Sequence, residues 1–261
     1  MTPDYSSQLR AAVAAARTAG EFLRARFADV KQVNAEMPHD LKLQLDRDTQ
    51  QLIARCLLAE YPDYAILGEE GETGSMSAEA LWIVDPIDGT VNYFYGIPIF
   101  CVSIALQVKD RVVLGCVYDP MQDECFTAVV GGAALLNGRA IRVSARQRMA
   151  EAVVFVGHGS HDGSGAEGVR RFAHISSQVR KVRILGSAAL TLCYIATGRF
   201  DAYIENRINL WDFAAARVIL ECAGGKLEFT PEVAHARQGS VIAWNGQLPI
   251  HAALEMPTPQ A

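Results

Sequence analysis

At 261 residues, half of them hydrophobic and 20% charged, the chain has the make-up of a globular enzyme with a substantial core, in one large domain or two small ones. A net charge of −5 and a pI near 5.7 exclude a general electrostatic pull toward nucleic acid or anionic membrane. No apolar run is long enough to span a bilayer, the first residues lack a basic, apolar leader pattern, and six cysteines without C-x-x-C spacing read as core thiols of a reducing compartment, so a cytoplasmic location is expected.

In chain order, Ser6 or Ser7 can cap a helix running to about Phe27, in which Leu9, Val13, Ala16, Phe22 and Leu23 recur at helical spacing. Residues 30–38 are polar and read as a loop. Leu41, Leu43 and Leu45 alternate with polar neighbours, as in a short strand. Asp46 or Asp48 then opens a second helix that ends before Pro62. Strand patterns follow at 65–67 and 81–84. After them the apolar runs 99–108, 112–118 and 124–130 suggest an antiparallel meander. Asn137-Gly138 is a strong hairpin signal. From residue 152 strands alternate with helices, with strands at 152–156, 181–185, 201–204 and 241–244 and helices at 163–179, 187–197 and 211–222. Gly224-Gly225 should end the last of these helices by a left-handed cap. Periodicity alone gives a mixed α and β chain.

The stretch that carries chemistry is Trp82-Ile83-Val84-Asp85-Pro86-Ile87-Asp88-Gly89-Thr90. An apolar strand is expected to stop at Asp85-Pro86, because proline cannot continue a ladder. Two carboxylates then lie at a strand end. Such a pair suits a hard cation, since Mg²⁺ takes oxygen ligands. Gly89 allows close backbone approach, and Thr90 adds a hydroxyl. Taken alone, Asp-Pro is most often a turn, Gly68-Glu69-Glu70 a solvated loop, and Asp212 a helix-start charge favoured by the dipole. Glu205 alone reads equally well as an exposed strand-end charge. His158-Gly159-Ser160-His161-Asp162 holds triad residue types, but adjacent residues cannot form a triad. Gly163, Gly165 and Gly168 lack the strand context of a dinucleotide fingerprint, and Arg180-Lys181-Arg183 reads as a solvated face.

Together these segments resemble the inositol monophosphatase family of lithium-sensitive, Mg²⁺-dependent phosphomonoesterases. The Trp82 to Tyr93 stretch, Gly68-Glu69-Glu70 before it, and Trp211-Asp212-Phe213-Ala214-Ala215-Ala216 and Glu221-Cys222-Ala223-Gly224-Gly225 after it occur in the family's order, over almost the whole chain. The resemblance implies one α/β domain over 1–261, a layered α-β-α-β-α sandwich. Its sub-lobes would span about 1–148 and 149–261, with the site between them. It implies two Mg²⁺ ions, one held by Glu69, Asp85 and the carbonyl of Ile87, the other by Asp85, Asp88 and Asp212. Asp85 would bridge ions about 3.5–4 Å apart, and a third, weaker ion would sit near Glu69. Asp46, Thr90 and Glu69 would prepare the attacking water, and amides at Gly89 and Thr90 would receive phosphate. Asp88, Gly186, Ser187, Ala188, Glu205 and Asp212 would hold substrate hydroxyls. Expected partners are a small phosphorylated polyol and a second copy in a homodimer, with no nucleic acid or membrane. Histidinol phosphate, fructose bisphosphate and nucleotide 3′-phosphates are rival substrates, and an interaction module that keeps the fold is the rival of another class. Ala35 and Leu43 stand where the family commonly has lysine and threonine, which bears on the third metal site and on loop closure.

Overall fold

The computed structural model describes residues 4–29, 33–37, 40–157, 165–232 and 235–255. Helix α1 (Ser6–Ala25) has Tyr5 at its cap position rather than Ser6 or Ser7, and Asp4 Oδ1 just before it accepts the Ser6 N–H at 2.9 Å. Where a loop was expected, β1 (Val33–Met37) pairs antiparallel with β2 (Asp40–Leu43). Helix α2 (Gln44–Glu60) starts two residues before Asp46. The capping residue is Leu43, which has no side-chain oxygen to offer. Asp46, in the first turn, makes the reciprocal half of a capping box, its Oδ2 accepting the Leu43 N–H at 2.7 Å.

The first large sheet comprises β3 (Ala65–Gly68), β4 (Gly71–Thr73), β5 (Ala80–Asp88), β6 (Cys101–Val108), β7 (Arg111–Asp119), β8 (Glu124–Val129), β9 (Leu135–Leu136) and β10 (Arg139–Ala140), with the five-residue helix α3 (Thr90–Phe94) after β5. Its order is β10-β9-β8-β7-β6-β5-β3-β4. The meander β6–β8 is antiparallel as expected, and β3 runs parallel to β5. Asn137 and Gly138 sit at φ 48° and 78°, the two left-handed positions that a tight hairpin turn needs.

Beyond a 3-10 turn at Met149–Glu151 come β11 (Val153–Val156), α4 (Gly165–Ser176), β12 (Lys181–Arg183), α5 (Ala188–Ala196), β13 (Ala202–Asn209), α6 (Leu210–Cys222), β14 (Lys226–Glu232), β15 (His235–Trp244) and α7 (Ile250–Leu254). The second sheet runs β12-β11-β13-β15-β14, with β11 parallel to both neighbours and β15 antiparallel to both of its own. The sequence reading did not anticipate β14, β4 or α7. His158, Ser160, His161, Asp162 and Gly163 lie outside the described residues. The cap after α6 forms as read, with Gly224 at φ +94°, Gly224 N donating to Glu221 O at 3.1 Å and Gly225 N to Leu220 O at 2.9 Å.

The side-chain alternation of the strands sorts the core into three slabs. Trp82, Val84, Val102, Ile104, Leu106, Leu114 and Cys116 pack under α1 and α2. Ile83, Ala105, Val117 and Phe126 point the other way, into a slab with α5, α6 and the inner face of the second sheet, from which Tyr203, Val241 and Ala243 project. On the outer face of that sheet, Ala202, Ile204 and Trp244 pack with Ile175 of α4 and with Ile250 and Ala253 of α7. The result is five layers, α-β-α-β-α. A strand buried on both faces reads as an unbroken apolar run, which is why β5 to β8 were legible.

Candidate active site

The ladder register fixes where the carboxylates of β5 point. Asp85 stands opposite Ser103 and Asp88 opposite Cys101 on β6. Three residues of β5 are therefore spent against two of β6, which is a β-bulge at Pro86-Ile87. In a regular strand residues three apart face opposite sides. The extra residue resets the phase, so Asp85 and Asp88 share one face, the one on the central slab. The expectation that Pro86 stops the strand was wrong. Proline needs no ladder partner for its missing N–H at a bulge, and β5 continues to Asp88. Asp85 Oδ1 accepts the Ile87 N–H at 3.0 Å, which closes the bulge locally.

Gly89 follows at φ +103° and starts α3. A Cβ there would lie 2.9 Å from Ile99 O and 3.2 Å from Gly186 O, so the position requires glycine for both dihedral and space. Thr90 Oγ1 sits 2.9 Å from Ile87 O and 3.2 Å from Asp46 Oδ1, and its one proton serves either acceptor. Asp46 is 1% exposed and is delivered from the first turn of α2. Asp212 is delivered in the same way by α6, its Oδ2 accepting the Asn209 N–H at 2.8 Å.

Asp88 ties the central layer to the sheet. Its Oδ2 accepts the Ser187 hydroxyl at 2.6 Å and the Ala189 N–H at 2.7 Å, and its Oδ1 accepts the Ala188 N–H at 3.0 Å. Cys101 Sγ adds a weaker contact at 3.5 Å. Asp88 thus caps α5 from another element. Ser187 and the Ala188 amide, read from sequence as facing substrate, are turned onto this carboxylate. Gly186 comes against Asn92, whose Nδ2 donates to Leu185 O at 2.7 Å and to Ile99 O at 2.8 Å.

Glu69 follows β3 at the sheet edge, with its N–H on Val84 O at 3.1 Å. Burial, then the charges of Glu69, Asp88 and Asp212, and a hydrogen bond with Glu69 hold the Asp85 carboxyl well above the usual carboxylate range. Burial also raises Asp88, against the opposing pull of Ser187, Ala188, Ala189 and Cys101. Tyr203, which the sequence reading did not single out, is 1% exposed, with its ring stacked on Phe155. Burial, then the charges of Glu205, Asp212 and Asp88, push its hydroxyl well up. Glu205 lies directly over Gly157, where a Cβ would fall 1.6 Å from its Oε2. The fold thus brings Glu69, Asp85, Asp88 and Asp212 into one field, with Asp46 and Thr90 bonded beside them, and the buried Tyr203 of the second sheet feels Glu205 as well as Asp212 and Asp88.

Among the described residues, no group of three or more His, Cys, Asp or Glu side chains has its ligand atoms already gathered for a metal ion. Asp88 shows one reason, since both its oxygens face α5 donors. An oxygen has two lone pairs, and Oδ1 can accept Ala188 and still ligate. Four carboxylates and a carbonyl are hard oxygen donors, and their mutual repulsion favours a divalent cation. By donor chemistry the set fits Mg²⁺.

The folded chain keeps the Asp85 proton to higher pH than the unfolded chain does. Stability from that proton is complete below the ordinary value of 3.8 and is lost as pH rises through the raised one. Without divalent cation, the unfolding temperature of wild type should therefore fall more steeply than that of Asp85→Asn as pH is raised from about 4 to 7. Parallel slopes in a fluorescence melt would contradict this.

A model of the inositol monophosphatase family matches residues 4–253. The chain belongs to the inositol monophosphatase family. As a family member it falls among the phosphoric monoester hydrolases, the enzyme class expected from sequence. It is 40% identical over 226 residues to an inositol-1-monophosphatase of Rhizobium meliloti, covering 84% of each chain. It is 37% identical over 246 residues to a Pseudomonas aeruginosa protein named Nus factor SuhB, covering 91% of each. Among solved structures, the extragenic suppressor protein suhB of Bartonella henselae superposes with a TM-score of 0.90 at 34% identity, covering 97% of this chain and 100% of that one. The layered family fold expected from the resemblance is the fold observed. No helix among the described residues is long and apolar enough to cross a membrane.

Proposed function

We propose that this family member is a Mg²⁺-dependent phosphomonoesterase acting on inositol monophosphate or a similar small polyol phosphate. The observation that carries the proposal is the bulge in β5, which turns Asp85 and Asp88 to the face where Glu69 and Asp212 meet them. Glu69, Asp85 and the Ile87 carbonyl would hold one ion, and Asp85, Asp88 and Asp212 a second. Mg²⁺, when bound, supplies charge neutralisation for the phosphoryl oxygens and acidifies the water that attacks. Thr90 Oγ1, held between Ile87 O and Asp46 Oδ1, can take a proton from that water and pass its own to Asp46. Backbone amides at Gly89 and Thr90 orient the phosphate. Attack is in line, without a covalent enzyme intermediate.

Glu205 would accept a hydrogen bond from a substrate hydroxyl, which suits a polyol, whereas the lone pairs of Asp88 are taken by Ser187, Ala188, Ala189 and the ion. Gly157→Ala, which pushes Glu205 aside, should raise KM about tenfold with little change in kcat, since one lost hydrogen bond to a charged group is worth about 1.5 kcal/mol or more. Equal KM in a steady-state assay would remove Glu205 from the substrate pocket. Li⁺ sensitivity, a homodimer and a cytoplasmic location belong to the same proposal on family grounds; six unpaired thiols accord with the last.

The test is phosphate release by wild type from inositol 1-phosphate with and without Mg²⁺, beside histidinol phosphate, fructose bisphosphate and a nucleotide 3′-phosphate. Mg²⁺-dependent turnover fastest on the inositol ester is expected. Silence on every ester would favour the rival reading, in which the fold serves as an interaction module.

A further inference from the structure

Helix α2 presents two polar side chains one turn apart toward the carboxylate cluster. Asp46 meets Thr90, and Gln50 meets the turn between β3 and β4 that carries Glu69. Gln50 is 7% exposed. Its Oε1 accepts the Glu70 N–H at 2.9 Å, and its Nε2 donates to Gly71 O at 3.0 Å. Both ends of one amide are therefore spent on the backbone directly after Glu69. Gly68 makes the room, because a Cβ there would lie 2.1 Å from Gln50 Oε1.

This turn needs holding. β4 is a three-residue edge strand, exposed throughout and joined to β3 by three residue pairs. Other ties of the turn are the Glu69 N–H on Val84 O at 3.1 Å and an ion pair of Glu70 with the exposed Arg47 at 3.5 Å. We infer that Gln50 is a positioning residue that clamps the turn after Glu69 and so keeps the Glu69 carboxylate against Asp85. The inference rests on Glu69 serving as a metal ligand under the proposed function.

The experiment compares Gln50→Met, Gly68→Ala and Glu69→Gln with wild type. Met keeps the length of Gln50 without its donor or acceptor, and Ala at 68 displaces the amide without removing it. Mg²⁺ binding is read by calorimetry and by the Mg²⁺-induced rise in unfolding temperature, and kcat and KM are measured at saturating Mg²⁺. Gln50→Met and Gly68→Ala should both bind Mg²⁺ about tenfold more weakly, in line with the loss of other groups that orient metal ligands, while KM at saturating Mg²⁺ stays that of wild type. Wild-type Mg²⁺ affinity in either variant, with Glu69→Gln weakened, would overturn the positioning role and leave the ligand assignment standing. Should Gln50→Met not fold, Gly68→Ala decides alone. Undiminished affinity in Glu69→Gln would instead sink the ligand assignment.

Discussion

Asp85→Asn is expected to lower Mg²⁺-dependent phosphate release by at least about a thousandfold, roughly 4 kcal/mol of barrier, without making the metal-free protein less stable. Asp85 is 2% exposed, and its ionised form is opposed by burial and by three neighbouring carboxylates. A site that stores like charge is costly to fold and useful only when a cation arrives. Asparagine keeps the volume and an acceptor for the Ile87 N–H, while removing one charge from the repelling set. The metal-free melting temperature of the variant should equal or exceed that of wild type at neutral pH, and its rise on adding Mg²⁺ should largely vanish. A variant that turns over normally, or that melts well below wild type without metal, would show that Asp85 is a structural residue.

Asp88→Asn should be nearly as damaging to activity, by about a hundredfold or more, and should also loosen α5. The carboxylate offers two acceptor oxygens to Ala188 N, Ala189 N and the Ser187 hydroxyl. An amide in the same place must turn its NH₂ toward at least one of these donors. Bonds to a charged acceptor are worth about 1.5–3 kcal/mol each, and the relief of one buried charge offsets only part of the loss. Amide hydrogen exchange at Ala188 and Ala189 should accelerate, with the far end of α5 unaffected. Unchanged protection at both amides would mean that α5 does not depend on Asp88.

Legibility followed burial and local chemistry. The meander β6–β8 was readable because strands buried on both faces are apolar at most positions, and the ends of α6 and of the β9–β10 hairpin because Gly224-Gly225 and Asn137-Gly138 supply the left-handed residues those turns need. The edge strand β14, Lys226–Glu232, was not readable. Only Leu227 and Phe229 turn inward, its other residues are charged, Thr230 or Pro231, and a proline is tolerated at an edge. The continuation of β5 through Pro86 was missed because a proline was read as a stop, whereas a bulge accommodates it.

Within the site, motif order pointed to Glu69, Asp85, Asp88, Thr90 and Asp212, but no spacing rule gives the phase reset that turns Asp85 and Asp88 to one face. Gln50, Gly157 and Tyr203 belong to no motif. Gly157 alone left a signal, a residue without side chain at the end of an apolar strand. Ser187 looked like a substrate contact, and only the three-dimensional arrangement turns its hydroxyl onto Asp88.

The most direct measurement is anomalous diffraction from crystals of the wild-type protein grown with Mn²⁺ in place of Mg²⁺. Two anomalous peaks are predicted, one bounded by Glu69, Asp85 and the Ile87 carbonyl and one by Asp85, Asp88 and Asp212. Crystals whose Mn²⁺ sites all lie away from Asp85 would contradict a metal-dependent phosphatase site on the bulge of β5.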